Sequence, residues 1–177
     1  MSLQILQSSI QHCQKCPLHL NLQCHQQPVP GQLLSQMFRG IKSGKPKIFG
    51  VVGSVDSDNT LLGQPLSQEN TDFMLRVCKD TKTDPGTLYF TNIVKCPAEK
   101  PKKRELVDCL TNTIQQELSE LQPSIVLLFG KDVQKYWSFQ QNEFPIYNFP
   151  SLNNLKTRSG IKELTETFNL IKRVYPD

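Results

Sequence analysis

The chain has 177 residues, 37% of them hydrophobic and 20% charged, and a net charge of +4 from 20 Lys+Arg against 16 Asp+Glu. That composition describes one globular domain, 1–177, long enough to bury roughly two thirds of its unfolded surface without disulfide stapling. It excludes collagen, coiled coil, secreted mini-protein and membrane span, since no apolar run approaches ~20 residues. The charge permits a nucleic-acid partner without demanding one.

Residues 2–12 read as a short amphipathic helix with Leu3, Ile5, Leu6 and Ile10 near one side. Met1–Gln7 has neither a basic nor an apolar leader region, so no signal peptide is expected. Residues 19–46 hold Pro28, Pro30, Gly31, Gly40, Gly44 and Pro46 and read as loop, with a helical turn near 32–39. Lys47–Gly53 is a compact apolar run ended by glycine, the form of a buried parallel strand. Ser67 is placed to N-cap a helix to about Asp80, with Phe73, Met74 and Val77 inward. Asp84-Pro85-Gly86 is a turn, and Thr87–Val94 a second strand. A long helix is expected over Lys103–Leu121, its buried stripe marked by Leu106, Leu110, Ile114 and Leu118. Ser124–Gly130 is a third strand, followed by a helix of one or two turns to about Ser138. Phe144–Tyr147 reads as a short fourth strand, and 159–174 as a last helix with Ile161, Leu164, Phe168 and Ile171 inward. Strands alternating with helices argue for an α/β three-layer sandwich on a mostly parallel four-stranded sheet. The loops after the strands' carboxyl ends, 53–66, 92–102, 130–133 and 148–156, then make the site.

The chain has six cysteines. With no leader expected, a reducing cytoplasm is the expected setting, and clustered cysteines are metal ligands before they are disulfides. Cys13 and Cys16 form C-x-x-C, while Cys96 and Cys109 bracket twelve residues. Four thiolates suit zinc or a [4Fe–4S] cluster. The second pair is too wide for a zinc-ribbon knuckle, and small buried cysteines are also common core residues. Cys24 and Cys78 fit no second pairing and read as packing residues.

Cys13-x-x-Cys16-x-Leu18, the run Tyr89-Phe90-Thr91-Asn92-Ile93-Val94-Lys95-Cys96-Pro97, Cys109, and the run Gln122–Gly130 together resemble the iron–sulfur uracil-DNA glycosylases, family four of that superfamily. The resemblance spans most of the chain. It implies the three-layer glycosylase fold and a structural [4Fe–4S] cluster on Cys13, Cys16, Cys96 and Cys109. That cluster would tie the N-terminal helix and loop, residues 1–46, to the core.

A glycosylase flips a base into a pocket, reads its edge and stabilises the charges of cleavage. The family's uracil-reading asparagine maps to Asn92. Its G-E-A-P-G loop is here Gly53-Ser54-Val55-Asp56-Ser57, without the glutamate and proline. Its G-x-P-F, whose ring stacks on the base, is Gly63-Gln64-Pro65-Leu66. Its H-P-S is Phe149-Pro150-Ser151, and a phenyl ring cannot replace the histidine as a hydrogen-bond donor. Ser54, Asp56, Leu66 and Phe149 are thus degenerate catalytic positions. Asp56 or Asp58 is the candidate replacement acid, although a lone Asp in a polar loop is more often a turn former. Asn92 also reads as a strand-end residue satisfying loop backbone. His12, His19 and His25 lie outside the expected site loops.

The segments Ile48–Asn92 and Phe149–Pro176 also resemble, in apolar pattern, the psi subunit of bacterial DNA polymerase III. The match includes Pro65-Leu66-Ser67, Pro150-Ser151-Leu152-x-x-Leu155 and Tyr175-Pro176. That likeness implies a non-catalytic replication accessory subunit with replisome partners, the clamp loader and the chi subunit. The chain departs from it at the N-terminus, which Cys13 and Cys16 would tie down and which carries no Trp-containing peptide. The alternative is an active iron–sulfur glycosylase excising uracil or another damaged base.

Lys95, Lys100, Lys102, Lys103 and Arg104 crowd the loop beside Cys96, and Lys156, Arg158 and Lys162 follow the Phe149 motif. Both groups are candidate contacts to a DNA backbone. A solvated charge run is the plain alternative, although lysines at a helix N-terminus work against its dipole. An apolar cleft near Leu66 and Phe149 is expected as a possible seat for a protein.

Overall fold

The structure, a computed structural model, describes residues 3–22, 26–39, 45–54, 62–98, 100–137 and 144–176. Five strands pair in the order β1-β3-β2-β4-β5. They are β1 (Gln32–Leu33), β2 (Ile48–Val52), β3 (Leu88–Asn92), β4 (Ile125–Phe129) and β5 (Ile146–Phe149). β2 to β5 run parallel, and β1 joins β3 antiparallel, Gln32 opposite Phe90. The sheet is therefore five-stranded and mixed rather than four-stranded. A two-residue strand has no alternation to reveal it, so Gln32 and Leu33 fall at the start of the helical turn expected near 32–39, which begins at Leu34.

The helices are α1 (Leu3–Gln11), α2 (Leu34–Arg39), α3 (Gln68–Thr81), α4 (Lys103–Cys109), α5 (Gln115–Leu121), α6 (Lys131–Trp137), α7 (Leu152–Leu155) and α8 (Arg158–Val174). α4 and α5 are one rod joined through a π-helical turn, Leu110–Ile114. Local chemistry sets the boundaries. The Ser67 hydroxyl accepts from Asn70 N–H to start α3, and Lys82 closes it in the left-handed region at φ 52°. Thr157 starts α8 by accepting from Gly160 N–H. No described helix is long and apolar enough to cross a membrane.

Pleating sends alternate side chains to two cores. Ile48, Val52, Leu88, Phe90, Ile125, Leu127 and Phe129 face α2, α3, α7 and α8. Phe49, Val51, Tyr89, Val126 and Leu128 face α4, α5, α6 and the Cys16–Leu18 segment. This is the three-layer sandwich. Gly50 lets Phe90 cross β2, because a Cβ there would lie 2.6 Å from the Phe90 ring. Gly50→Ala should therefore cost about 1–3 kcal/mol as an overpacked core. Urea unfolding measures it, and an unchanged midpoint would contradict this packing.

Three local expectations change. Ile5 is 59% exposed, and α1 instead buries Leu6, Ile10 and Gln7, whose Nε2 donates to the Gly31 carbonyl at 2.7 Å. Ile161 is also exposed, whereas Leu164, Phe168 and Ile171 are buried. The fourth parallel strand is Ile146–Phe149, not 144–147. Its register pairs Phe149 with Phe129, while Pro145, lacking an N–H, only accepts from Val126 at 2.9 Å.

Candidate functional site

The chain passes from β2 outward to β3, then crosses back to β4 on the other side of β2. In open α/β sheets the crevice beyond the carboxyl ends at such a reversal is where ligands bind. A cavity of about 270 Å³ lies there, lined from the ends of β2, β3 and β4 and from the starts of α3 and α7. Ser54, Ser67, Asn70, Asn92, Ser151 and Asn153 make much of its wall polar. The expected apolar cleft near Leu66 and Phe149 is divided: Leu66 lines this polar cavity, whereas Phe149 lines a separate, more apolar pocket with Gly130 and Pro150 beside the ends of β4 and β5.

Asn92 ends β3 and is 2% exposed. Its Nδ2 donates to the carbonyls of Gly53 and Pro65, both at 3.1 Å, so it clasps the loop after β2 to the start of α3. A side-chain amide has two N–H donors, and both are used. Asn92 Oδ1 is buried and has no partner among the described residues, and Asn70 Oδ1 shares that condition. The Asn92 donors thus hold backbone, the strand-end role, while its Oδ1 is enclosed without a partner among the described residues.

Of the degenerate positions, Ser54 and Leu66 line the cavity. Phe149 does not; it is 2% exposed and stacks on Phe129 at a centroid distance of 5.5 Å. Asp56 and Asp58 lie outside the described residues. His12 is exposed, His19 donates from Nδ1 to the Cys16 carbonyl at 2.5 Å, and neither lines the cavity. His25 lies outside the described residues.

The basic residues divide. Lys100, Lys102, Lys103, Arg104 and Arg158 are exposed. The first four follow β3 in the chain and Arg158 follows β5; those two strands lie about 14 Å apart at ~4.8 Å per strand. Lys156 is ion-paired to Glu69 at 2.8 Å, and Lys162 is paired to Glu166 at 3.8 Å. Lys95 must be removed from the DNA-facing set. It is 1% exposed and paired at 2.8 Å with Glu117, which is 0% exposed. Glu117 also accepts from Tyr89 Oη at 3.0 Å, Thr91 Oγ1 at 2.8 Å and Gly31 N–H at 3.0 Å. Burial, with the Glu117 charge, pushes the Tyr89 hydroxyl well above its ordinary pKa. Sequence reasoning missed Glu117, since Leu118 looked like the inward position. Leu118 is only partly buried, and the buried donors draw the carboxylate in instead. A signal was present: Glu117 lies three residues after Ile114, which shares a helix face as well as four does.

The cysteines form a second locus, in the layer opposite the cavity. Cys16, Cys96 and Cys109 are buried, and Cys13 is partly buried. A hydrogen bond between the Cys16 and Cys109 thiols lowers Cys16 to about 6 and raises Cys109. Burial, and then the charges of Cys16 and Cys13, push Cys96 up to about 12. Cys96 thus lies near Cys16 and Cys13, and Cys109 near Cys16, with the Lys95 N–H also directed at Cys109. Among the described residues no three His, Cys, Asp or Glu side chains form a group set to hold a metal ion. The donor set nevertheless fits an iron–sulfur centre in kind, since a cubane takes four soft thiolates spaced more widely than around a single ion. Cys78 sits in the other core, pushed up to about 12 by burial, as a packing residue does. Cys24 lies outside the described residues.

Comparison with known proteins agrees with this geometry. The chain is 26% identical over 132 residues to a type-4 uracil-DNA glycosylase of Pyrobaculum aerophilum, covering 73% of this chain and 61% of that protein. The chain thus spans less than two thirds of its relative. The model of the family described as the uracil DNA glycosylase superfamily matches residues 29–172, which include every strand and the cavity. With the three-layer sheet and the crevice at its strand ends, this match shows that the chain belongs to the uracil-DNA glycosylase superfamily.

Proposed function

We propose that this chain is a non-catalytic member of its superfamily that binds DNA as an accessory to the replication machinery. In this reading it carries a structural [4Fe–4S] cluster on Cys13, Cys16, Cys96 and Cys109. The observation that carries the reading is Phe149: where the resemblance expects a histidine, a phenyl ring is stacked into the core against Phe129. No described histidine lines the cavity to replace it. Losing one donor to a developing negative charge lowers turnover about 10²–10³-fold, and the stacking ring is lost as well. The exposed bases Lys100, Lys102, Lys103 and Arg104, after β3, and Arg158, after β5, are the candidate phosphate contacts. A fold that keeps its scaffold without its chemistry serves as a binding surface. The clamp loader and the chi subunit are the partners to test by co-purification, in a reducing cytoplasm.

The test is base excision by anaerobically purified protein of measured iron and sulfide content, on single- and double-stranded DNA containing uracil. No abasic sites are expected. Uracil release that disappears in Asn92→Ala would overturn the proposal in favour of an active glycosylase. Zinc in place of iron and sulfide would overturn the cluster assignment alone.

A further inference from the structure

We propose that β5 is a docking edge for a short extended peptide of a partner protein. The peptide adds a strand beside Ile146 and Asn148 and seats an apolar side chain, with an acidic one close by, in the pocket at the strand's end. The proposal goes beyond the DNA-binding reading and does not depend on whether the chain excises bases. It starts from the sheet order. β5 is the last strand and, among the described residues, pairs only with β4. The Val126 and Gly130 N–H groups donate to the Pro145 and Phe149 carbonyls, both at 2.9 Å. Successive residues of a strand aim their backbone groups to opposite sides, so Pro145, Tyr147 and Phe149 face β4. The N–H and C=O of Ile146 and Asn148 therefore face the open side. Among the described residues they have no hydrogen-bond partner.

The local sequence makes this edge receptive. Sheet edges are commonly blunted by charged side chains, lysine above all. Phe144–Pro150 carries no charge, and Ile146 and Tyr147 are only half-buried. Pro145 and Pro150 have no N–H to offer a ladder, so they bracket the open stretch and limit a partner to a short segment. An added strand takes its affinity from main-chain hydrogen bonds and its specificity from pockets for its side chains.

Such a pocket adjoins the edge. A cavity of about 390 Å³ is lined by Gly130, Lys131, Asn148, Phe149 and Pro150 among others. Asn148 thus belongs to the open edge and to the pocket at once. The pocket shares only Ser151 with the cavity at the ends of β2, β3 and β4. Its wall is mostly apolar, which suits an apolar side chain. Lys131 is exposed and has no ion-pair partner among the described residues. No Asp or Glu lines the pocket; Asp132, next in the chain, lies outside the lining. The complementary charge is therefore a carboxylate beside the apolar anchor. A DNA strand has no backbone N–H for the Ile146 and Asn148 carbonyls, so the edge matches a polypeptide.

The probe is a randomised heptapeptide library displayed on phage and panned against the full-length, cluster-loaded protein. Enriched sequences should carry an apolar or aromatic residue close to an Asp or Glu. Synthetic copies at saturation should slow amide hydrogen exchange at Ile146 and Asn148 at least about tenfold more than at Tyr147 and Phe149, which already pair with β4. Methylating the backbone nitrogens of alternate peptide residues should weaken binding at least about tenfold in one register and less than about threefold in the other. Asn148→Pro removes an outward N–H without touching the β4 ladder and should weaken binding about tenfold. Lys131→Glu should weaken it at least about threefold. No enriched sequence, protection away from Ile146 and Asn148, or equal tolerance of both methylation registers overturns the proposal. Protection of the same amides on raising the protein's own concentration would assign the edge to a second copy, and protection by a DNA oligonucleotide would assign it to nucleic acid; either overturns it. Uracil release would overturn the non-catalytic reading alone. The methylated peptides change only the ligand, so the result stands even where Asn148→Pro fails to fold.

Discussion

Replacing Glu117 by leucine should destabilise the protein by about 3–5 kcal/mol, more than any single surface charge change, because it leaves a buried cation without its partner. The Lys95 ammonium donates to both Glu117 oxygens, at 3.0 and 2.8 Å, and to Thr91 Oγ1, and it has almost no contact with water. Removing the carboxylate also strips the acceptor from Tyr89 Oη and Gly31 N–H. A surface pair behaves differently: Arg104 and Asp108, 3.9 Å apart with the arginine 89% exposed, should be worth no more than about 1 kcal/mol. The double variant Lys95→Met/Glu117→Leu separates the net worth of the pair from the penalty of breaking it. Apolar replacement of a whole buried pair is often close to neutral, so the double variant should recover most of the loss. Urea unfolding of the two single variants and the double variant measures the coupling. If Glu117→Leu costs less than about 1 kcal/mol, or if the double variant is no better than the single, Lys95 is not a buried charge held by Glu117.

The same pair explains why some features are legible in the sequence and others are not. β2, β3 and β4 can be read directly because each is buried on both faces and so is an unbroken apolar run. The helix over α4 and α5 can be read from period alone. Lys95 misleads because its neighbours on one side, Lys100 to Arg104, are exposed bases. Only the fold brings Glu117, 22 residues later, within 2.8 Å of it. Phe149 is legible as a lost histidine, yet its strand is misplaced by two residues, since register comes from pairing with β4 and not from the Phe144–Tyr147 run. Asn92 is found from a resemblance, but the use of its two donors depends on carbonyls 39 and 27 residues away in sequence. Contacts at such separations leave no local periodicity, so the strands are readable and the wiring of the site is not.

Cys16→Ser should raise tryptic cleavage after Lys15 at least about tenfold relative to the cluster-loaded parent, a local loss of about 1.4 kcal/mol. Lys15 lies exposed between Cys13 and Cys16, in the bend linking α1 to the Pro17–Asn21 turn. What holds that bend decides the result. α1 is anchored independently, by buried Leu6 and Ile10 and by Gln7 donating to the Gly31 carbonyl. Downstream, the Val29 N–H donates to the Lys95 carbonyl at 2.8 Å, and Leu33 is fully buried. Residues 1–46 thus carry more core than their proline and glycine content suggests. Loss of the proposed cluster should open the bend between these anchors without releasing α1. Among the described residues between them, the apolar contribution is Leu18, the partly buried Leu22 and the Cys16 side chain itself. Iron depletion of the parent should reproduce the cleavage, and visible absorbance from the cluster should disappear in step with it. Cys78→Ser is the control, because Cys78 lies in the opposite core and should keep both iron and protection. Unchanged protection at Lys15 in Cys16→Ser would show that apolar packing alone closes the bend. Iron lost equally from Cys78→Ser would show that the four-cysteine assignment is wrong.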